Sequence, residues 1–258
     1  MASFPYAGYS ESFLISATEA NQIKTKLDAY EKGTLCIKEL YESPFGMTDP
    51  CRGYIGYYLL HTNEVSVKQK LVFSRCYIEF CMFPEAAKLA EEYLSVYSNN
   101  ISGLEILGYS YAGLIYNGSN NWDRAIQVYS RAVKLGDKDS YEPLAGLALK
   151  DNQLDVIEKI IPQLLSLSKS TNTPDVNKIN IITILIGYSM KADQKDVFIK
   201  TLEGINMEKI LQDNDVKLDV TKGCVFFEDE DTNKDIEKIR QEMETATSST
   251  NSVSSPPR

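Results

Sequence analysis

The sequence predicts an all-α fold, an α-solenoid of antiparallel helix hairpins, on three observations. Tyr109, Ala112, Gly113 and Tyr116 recur at helical intervals, and Ala125, Tyr129 and Ala132 do the same, so each half of 109–137 carries one apolar stripe. Between them Asn117, Gly118, Ser119, Asn120 and Asn121 have no apolar period and favour a turn, so the chain reverses there. The same offsets occur 39 residues earlier, where Ser74-x2-Tyr77 and Ala86-x3-Ala90 stand for Gly113-x2-Tyr116 and Ala125-x3-Tyr129. Gly113 and Ala125 carry the smallest side chains on their stripes. They are the expected crossing point, where two helix axes approach within roughly 8–10 Å.

These residues carry a resemblance. Tyr109-x2-Ala112-Gly113-x2-Tyr116 followed by Ala125-x3-Tyr129 resembles the tetratricopeptide repeat, aromatic-x2-Leu-Gly-x2-Tyr then Ala-x3-Phe, with a period of about 34 residues. Ala132 and Asp137 follow where that family tends to have Ala and Pro. Tyr109 replaces Trp, Ala112 replaces Leu and Asp137 replaces Pro. The Tyr116-Asn117-Gly118 loop and the Leu135-Gly136-Asp137 ending also resemble a related hairpin repeat that is longer and richer in glycine, and one unit does not separate the two.

The resemblance implies a concave groove, lined by the first helix of each hairpin, that holds an extended peptide or a partner helix. By offset from the glycine stripe its lining would be Leu71, Arg75 and Ile78, then Ser110, Leu114 and Asn117, then Leu147 and Lys150, then Ile184, Tyr188 and Lys191. The subfamily that grips acidic C-terminal peptides of heat-shock chaperones uses Lys, Asn and Arg in the groove. Here the corresponding positions are Leu71, Arg75, Ser110, Ser140 and Leu144, of which only one is basic. A hydrophobic or helical partner segment is the better match.

Taken in order, residues 1–66 form an N-terminal segment that caps the array, with Phe4, Tyr6 and Tyr9 available to cover an open end. Ser16 and Glu19 form a capping box that starts a helix running to about Tyr30, with Ala20, Ile23, Leu27 and Tyr30 inward. A second helix is expected over 34–41. The SPFGMTDPCRG stretch is a loop, and YIGYYLLHT, ending in His61, is a buried helix. Residues 67–227 hold the repeats and a closing strip. Hairpin helices over 67–83 and 84–97 start the array, with Pro84 in the first turn of the second. The helix before Tyr116 begins near Ser102. After Asp137, Gly146-x2-Leu149 repeats the first half of the motif, but Glu158 stands where the small alanine belongs and Pro162 kinks or shortens the second half. KSTNTPD is a loop, then a helix from Val176 through Met190 pairs with one over 197–205. Residues 216–227 alternate and then turn apolar around Lys222-Gly223, as a small β-hairpin or an extended strip would. The remaining 228–258 reads as an acidic helix and a disordered Ser/Thr-rich tail.

With 258 residues, 43% hydrophobic and 24% charged, the chain has a globular composition. Its net charge of −9 argues against non-specific nucleic-acid or anionic-membrane binding. Over half of that charge sits in 228–244, where eight acidic residues face three basic ones. Five cysteines (36, 51, 76, 81 and 224) without a CxxC pair are read as reduced thiols. The start lacks a secretory or mitochondrial leader pattern, and no run would span a membrane, so a cytoplasmic, or alternatively nuclear, location is expected.

No catalytic, cofactor-binding or metal residue stands out. Asp229, Asp231 and Asn233 alternate like calcium-loop ligands, but the required glycine is Lys234 and the closing carboxylate is Arg240. Cys76 and Cys81 lie about 140° apart on a helix and cannot chelate one ion from it. The single histidine has no acidic or thiol neighbour in sequence. The expected function is that of a protein-binding scaffold, an adaptor or assembly factor, with a structural subunit of a stable complex as the alternative and a carboxylate-based enzyme a distant third. Ser255-Pro256 is an expected target of proline-directed phosphorylation.

Overall fold

The first helix begins where the sequence supplies its cap. In the computed structural model, which describes residues 15–36, 39–40, 50–202, 217–219 and 224–226, α1 spans Ala17–Glu31. The Ser16 hydroxyl accepts from the Glu19 N–H at 3.2 Å and the Glu19 carboxylate accepts from the Ser16 N–H at 2.7 Å, satisfying two otherwise unpaired donors. Ile23, Leu27 and Tyr30 are buried, as their spacing predicts. Thr34, Leu35 and Cys36 are not helical, which corrects the start of the helix expected over 34–41; of the other described residues of that span, Glu39 and Leu40 are helical. Gly33, at φ +76°, breaks the chain away before it.

Helix α2, Pro50–His61, starts earlier than its composition suggests. Pro50 opens the helix because a first-turn residue needs no N–H donor, so Cys51 to Gly53 are helical rather than part of the loop. Its Tyr54, Ile55 and Tyr57 are buried, and the Tyr54 hydroxyl donates to the Leu40 carbonyl. Helices α3 (Lys70–Glu79) and α4 (Phe83–Leu94) form the next hairpin, with Pro84 in the first turn of α4. Phe73 sits in the middle of this core, its ring 5.0 Å from Tyr58 and 6.4 Å from Tyr54. Ser74 is wholly buried and its hydroxyl donates to the Ala86 carbonyl at 2.7 Å, tying α3 to α4 at the small-residue position.

Helices α5 (Ile101–Tyr116) and α6 (Trp122–Lys134) complete the first unit, Met1–Ser140. Asn100 caps α5 by accepting from the Gly103 N–H at 2.9 Å. Helix α3 packs on α4, α4 on α5 and α5 on α6. The expected register of α5 needs correction. Tyr109 and Tyr116 are exposed, at 55% and 77%, whereas Leu104, Leu107, Gly108 and Tyr111 are buried. A Cβ on Gly108 would lie 2.7 Å from the Tyr129 ring of α6, and one on Gly113 would lie 2.4 Å from the Phe83 ring of α4. Gly113 therefore faces the preceding hairpin, and the close approach to α6 lies five positions earlier, at Gly108. Ala125 and Ala132 are fully buried on α6.

The second unit, Tyr141–Arg258, begins inside the stretch expected to be one repeat block, 67–227. Its helices are α7 (Tyr141–Lys150), α8 (Leu154–Glu158), α9 (Ile161–Lys169), α10 (Asp175–Lys191) and α11 (Lys195–Leu202). Pro162 sits in the first turn of α9, and the predicted second helix is split there into α8 and α9. Helix α10 is the centre: Ile181 to Ser189 are all buried, because α7, α9 and α11 pack around it. Glu142 of α7 accepts from Asn177 and Asn180 of α10 at 2.6 and 2.8 Å. Two three-residue strands, β1 (Lys217–Asp219) and β2 (Cys224–Phe226), pair antiparallel with Leu218 opposite Val225. The N-terminal aromatic cap, the acidic helix and the Ser255-Pro256 tail lie outside the described residues.

Candidate functional site

The first unit contains an open groove of about 530 Å³ between α3 and α5, the first helices of its two successive hairpins. Arg75, Ile78 and Glu79 of α3 line one side, Ser102, Glu105, Ile106 and Tyr109 of α5 the other, with Cys81 in the turn after α3. Ser74 points at α4, while Arg75 and Ile78, about 100° and 40° round the helix from it, line the groove. In α5 the small residue facing α6 is Gly108, and Glu105 and Tyr109, three positions before it and one after, line the groove.

The sequence-predicted lining divides accordingly. Arg75 and Ile78 line the groove. Leu71, Ser110, Leu147, Ile184 and Tyr188 are buried among neighbouring helices, which corrects the expectation that they present an open surface. Ser110 turns its hydroxyl onto the Ile106 carbonyl of its own helix at 2.7 Å. Leu114 is half-buried, and Asn117, Lys150 and Lys191 are exposed. Lys191 donates to the Leu149 carbonyl at 2.9 Å, so it works as a tie between α10 and α7. For α5 the physical reason is the five-position register shift, which moves the groove-facing set from Ser110, Leu114 and Asn117 to Glu105 and Tyr109. The Leu107-Gly108-x2-Tyr111 run is the signal that would have found them.

The groove has a charged end. Glu105 is half-buried and its carboxyl is held above the usual glutamate range, first by desolvation and then by the nearby Asp137 and Asp139, with Arg75 opposing the shift. Behind the lining, the Tyr111 hydroxyl donates to Glu91, and burial together with that bond pushes the phenol up to about 12. The residues thus supply a guanidinium, two carboxylates, an exposed phenol and two isoleucines on rigid helices. His61, the one histidine, is elsewhere, stacked 4.5 Å from the Tyr57 ring and 3.1 Å from Glu64.

No helix among the described residues is long and apolar enough to cross a membrane. Compared with known protein families, curated proteins and solved structures, the chain matches none.

Proposed function

We propose that the chain is a protein-interaction scaffold, an adaptor or assembly factor, that holds a segment of a partner protein in the groove between α3 and α5. The observation that carries this reading is the lining itself. Ile78, Ile106 and Tyr109 give a mixed apolar floor, and Arg75, Glu79 and Glu105 give fixed charges around it, the combination that orients a segment with an apolar anchor and polar flanks. Sequential packing of α3 on α4, α4 on α5 and α5 on α6 supports the tetratricopeptide-like, solenoid interpretation of these hairpins. Within the second unit, the short β1–β2 pair would be a closing strip on α10. Cys51 and Cys76, both buried and in no disulfide, fit work in a reducing compartment such as the cytoplasm or nucleus.

The test uses the full chain, tagged and expressed at its native level, beside Arg75→Glu and Tyr109→Asp variants of equal helicity. The wild type is expected to retain a co-purifying protein in stoichiometric amount, and both variants to lose it. An identical set of co-purifying proteins in all three would overturn the groove assignment.

A further inference from the structure

Three carboxylates from two separate parts of the first unit converge beside the groove, with Arg75 acting on Glu105 from across it. Glu105 comes from α5, and Asp137 and Asp139 from the loop that follows α6. One oxygen from each lies within 4.8 Å of the other two. Crowding exposed acids would be unremarkable, but Asp137 is only 8% exposed. Its Oδ1 accepts from the Asp139 N–H at 3.2 Å, while its buried Oδ2 has no partner. A second oxygen of the same loop, Ser140 Oγ, is 1% exposed and also without a partner. A buried carboxylate oxygen left unpaired is costly.

We propose that Glu105, Asp137 and Asp139 form a binding site for a hard divalent cation, with Ca²⁺ favoured over Mg²⁺. The donor set is all oxygen, with no thiolate or imidazole, which suits Ca²⁺, Mg²⁺ or Mn²⁺ rather than zinc or copper. Ligand number separates the first two: calcium takes several protein carboxylates in a flexible shell, whereas magnesium is usually held by one or two and keeps several waters.

The experiment is calorimetric titration of the full chain, stripped with chelator, with CaCl₂ and separately with MgCl₂, alongside thermal melts. The expected result is one saturable Ca²⁺ event at least about tenfold tighter than Mg²⁺, with a melting midpoint that rises with Ca²⁺. Asp137→Asn should weaken the event at least about tenfold. Because that variant touches a buried group, Glu105→Gln, a half-buried near-isosteric change, is the second arm and should weaken it similarly while helicity is unchanged. The proposal is overturned if no saturable binding occurs up to about 1 mM, the weak end of protein calcium sites. It is equally overturned if both variants bind as the wild type does, since the ion would then sit elsewhere, for instance on the acidic stretch 228–231.

Discussion

The ring of Phe83 lies over Gly113 so closely that a Cβ on the glycine would fall 2.4 Å from the ring. Phe83 opens α4 and Gly113 sits near the end of α5, so the pair sets how near the two helices approach. Replacing Gly113 by Ala gains up to about 1 kcal/mol of helix propensity but adds overpacking of about 1–3 kcal/mol. Overpacking wins, because the crowded atoms include Cγ, near the fixed root of the Phe83 side chain. Gly113→Ala should lose about 1 kcal/mol in denaturant unfolding, and adding Phe83→Leu should recover it. A Gly113→Ala protein as stable as wild type would show that α4 and α5 do not touch there.

Two buried serines allow a sharper comparison. Ser74 donates across the α3–α4 interface to Ala86, whereas Ser110 donates to Ile106 within its own helix. Losing a cross-helix bond removes tertiary stabilisation of about 1 kcal/mol, while losing a bond to the preceding turn removes little that the helix ladder does not already supply. Ser74→Ala should therefore lower stability by about 1 kcal/mol and Ser110→Ala by less than about 0.5 kcal/mol. Chemical denaturation of the two variants settles it, and equal losses would contradict the distinction.

These cases also show what the sequence could convey. The start of α1 was legible because Ser16 and Glu19 interact locally, and the break at Pro162 because a ring without an N–H acts on its own turn. The register of α5 was not. Tyr109, Ala112, Gly113 and Tyr116 obey the same spacing as Leu104, Leu107, Gly108 and Tyr111, and a helix buried on two sides carries two apolar stripes. Periodicity says that both faces are covered, not which neighbour covers each. Half of the groove lining went with that choice: Arg75 and Ile78 were readable, while Glu105 and Tyr109 were not. The carboxylate cluster was still less accessible, because Asp137 and Asp139 lie more than thirty positions beyond Glu105 and meet it only through packing of α5 against the loop after α6.

The N-terminal cap makes a prediction with a pH signature. Glu19 is held below its ordinary 4.5, first by the Ser16 N–H and then by the Ser16 side chain. Its contribution to stability is therefore complete above 4.5 and is lost as pH falls through the lower folded value. Ser16→Ala should cost about 1 kcal/mol at neutral pH by removing the cap. Glu19→Gln should flatten the acid side of the stability profile relative to wild type. Both are read from thermal melts between neutral pH and the acid limit, and an unchanged acid slope in Glu19→Gln would mean that the capping box does not persist in solution.

Glu105 carries the opposite sign. Its carboxyl is raised above the ordinary 4.5 by desolvation, then by Asp137 and Asp139, so the folded chain holds this proton more tightly than the unfolded chain does. The stabilisation is complete below 4.5 and is lost as pH rises through the higher folded value. In chelator, wild type should lose stability across that window relative to Glu105→Gln, which has no proton to lose, and at neutral pH the variant should melt at the higher temperature. Saturating Ca²⁺ should reverse the order, because the ion rewards the charge that otherwise strains the site. Melts of both proteins with and without the ion, over the same pH range, separate the two effects. If Glu105→Gln melted lower than wild type in chelator, the carboxylate would have a compensating partner and the three acids would not be in conflict.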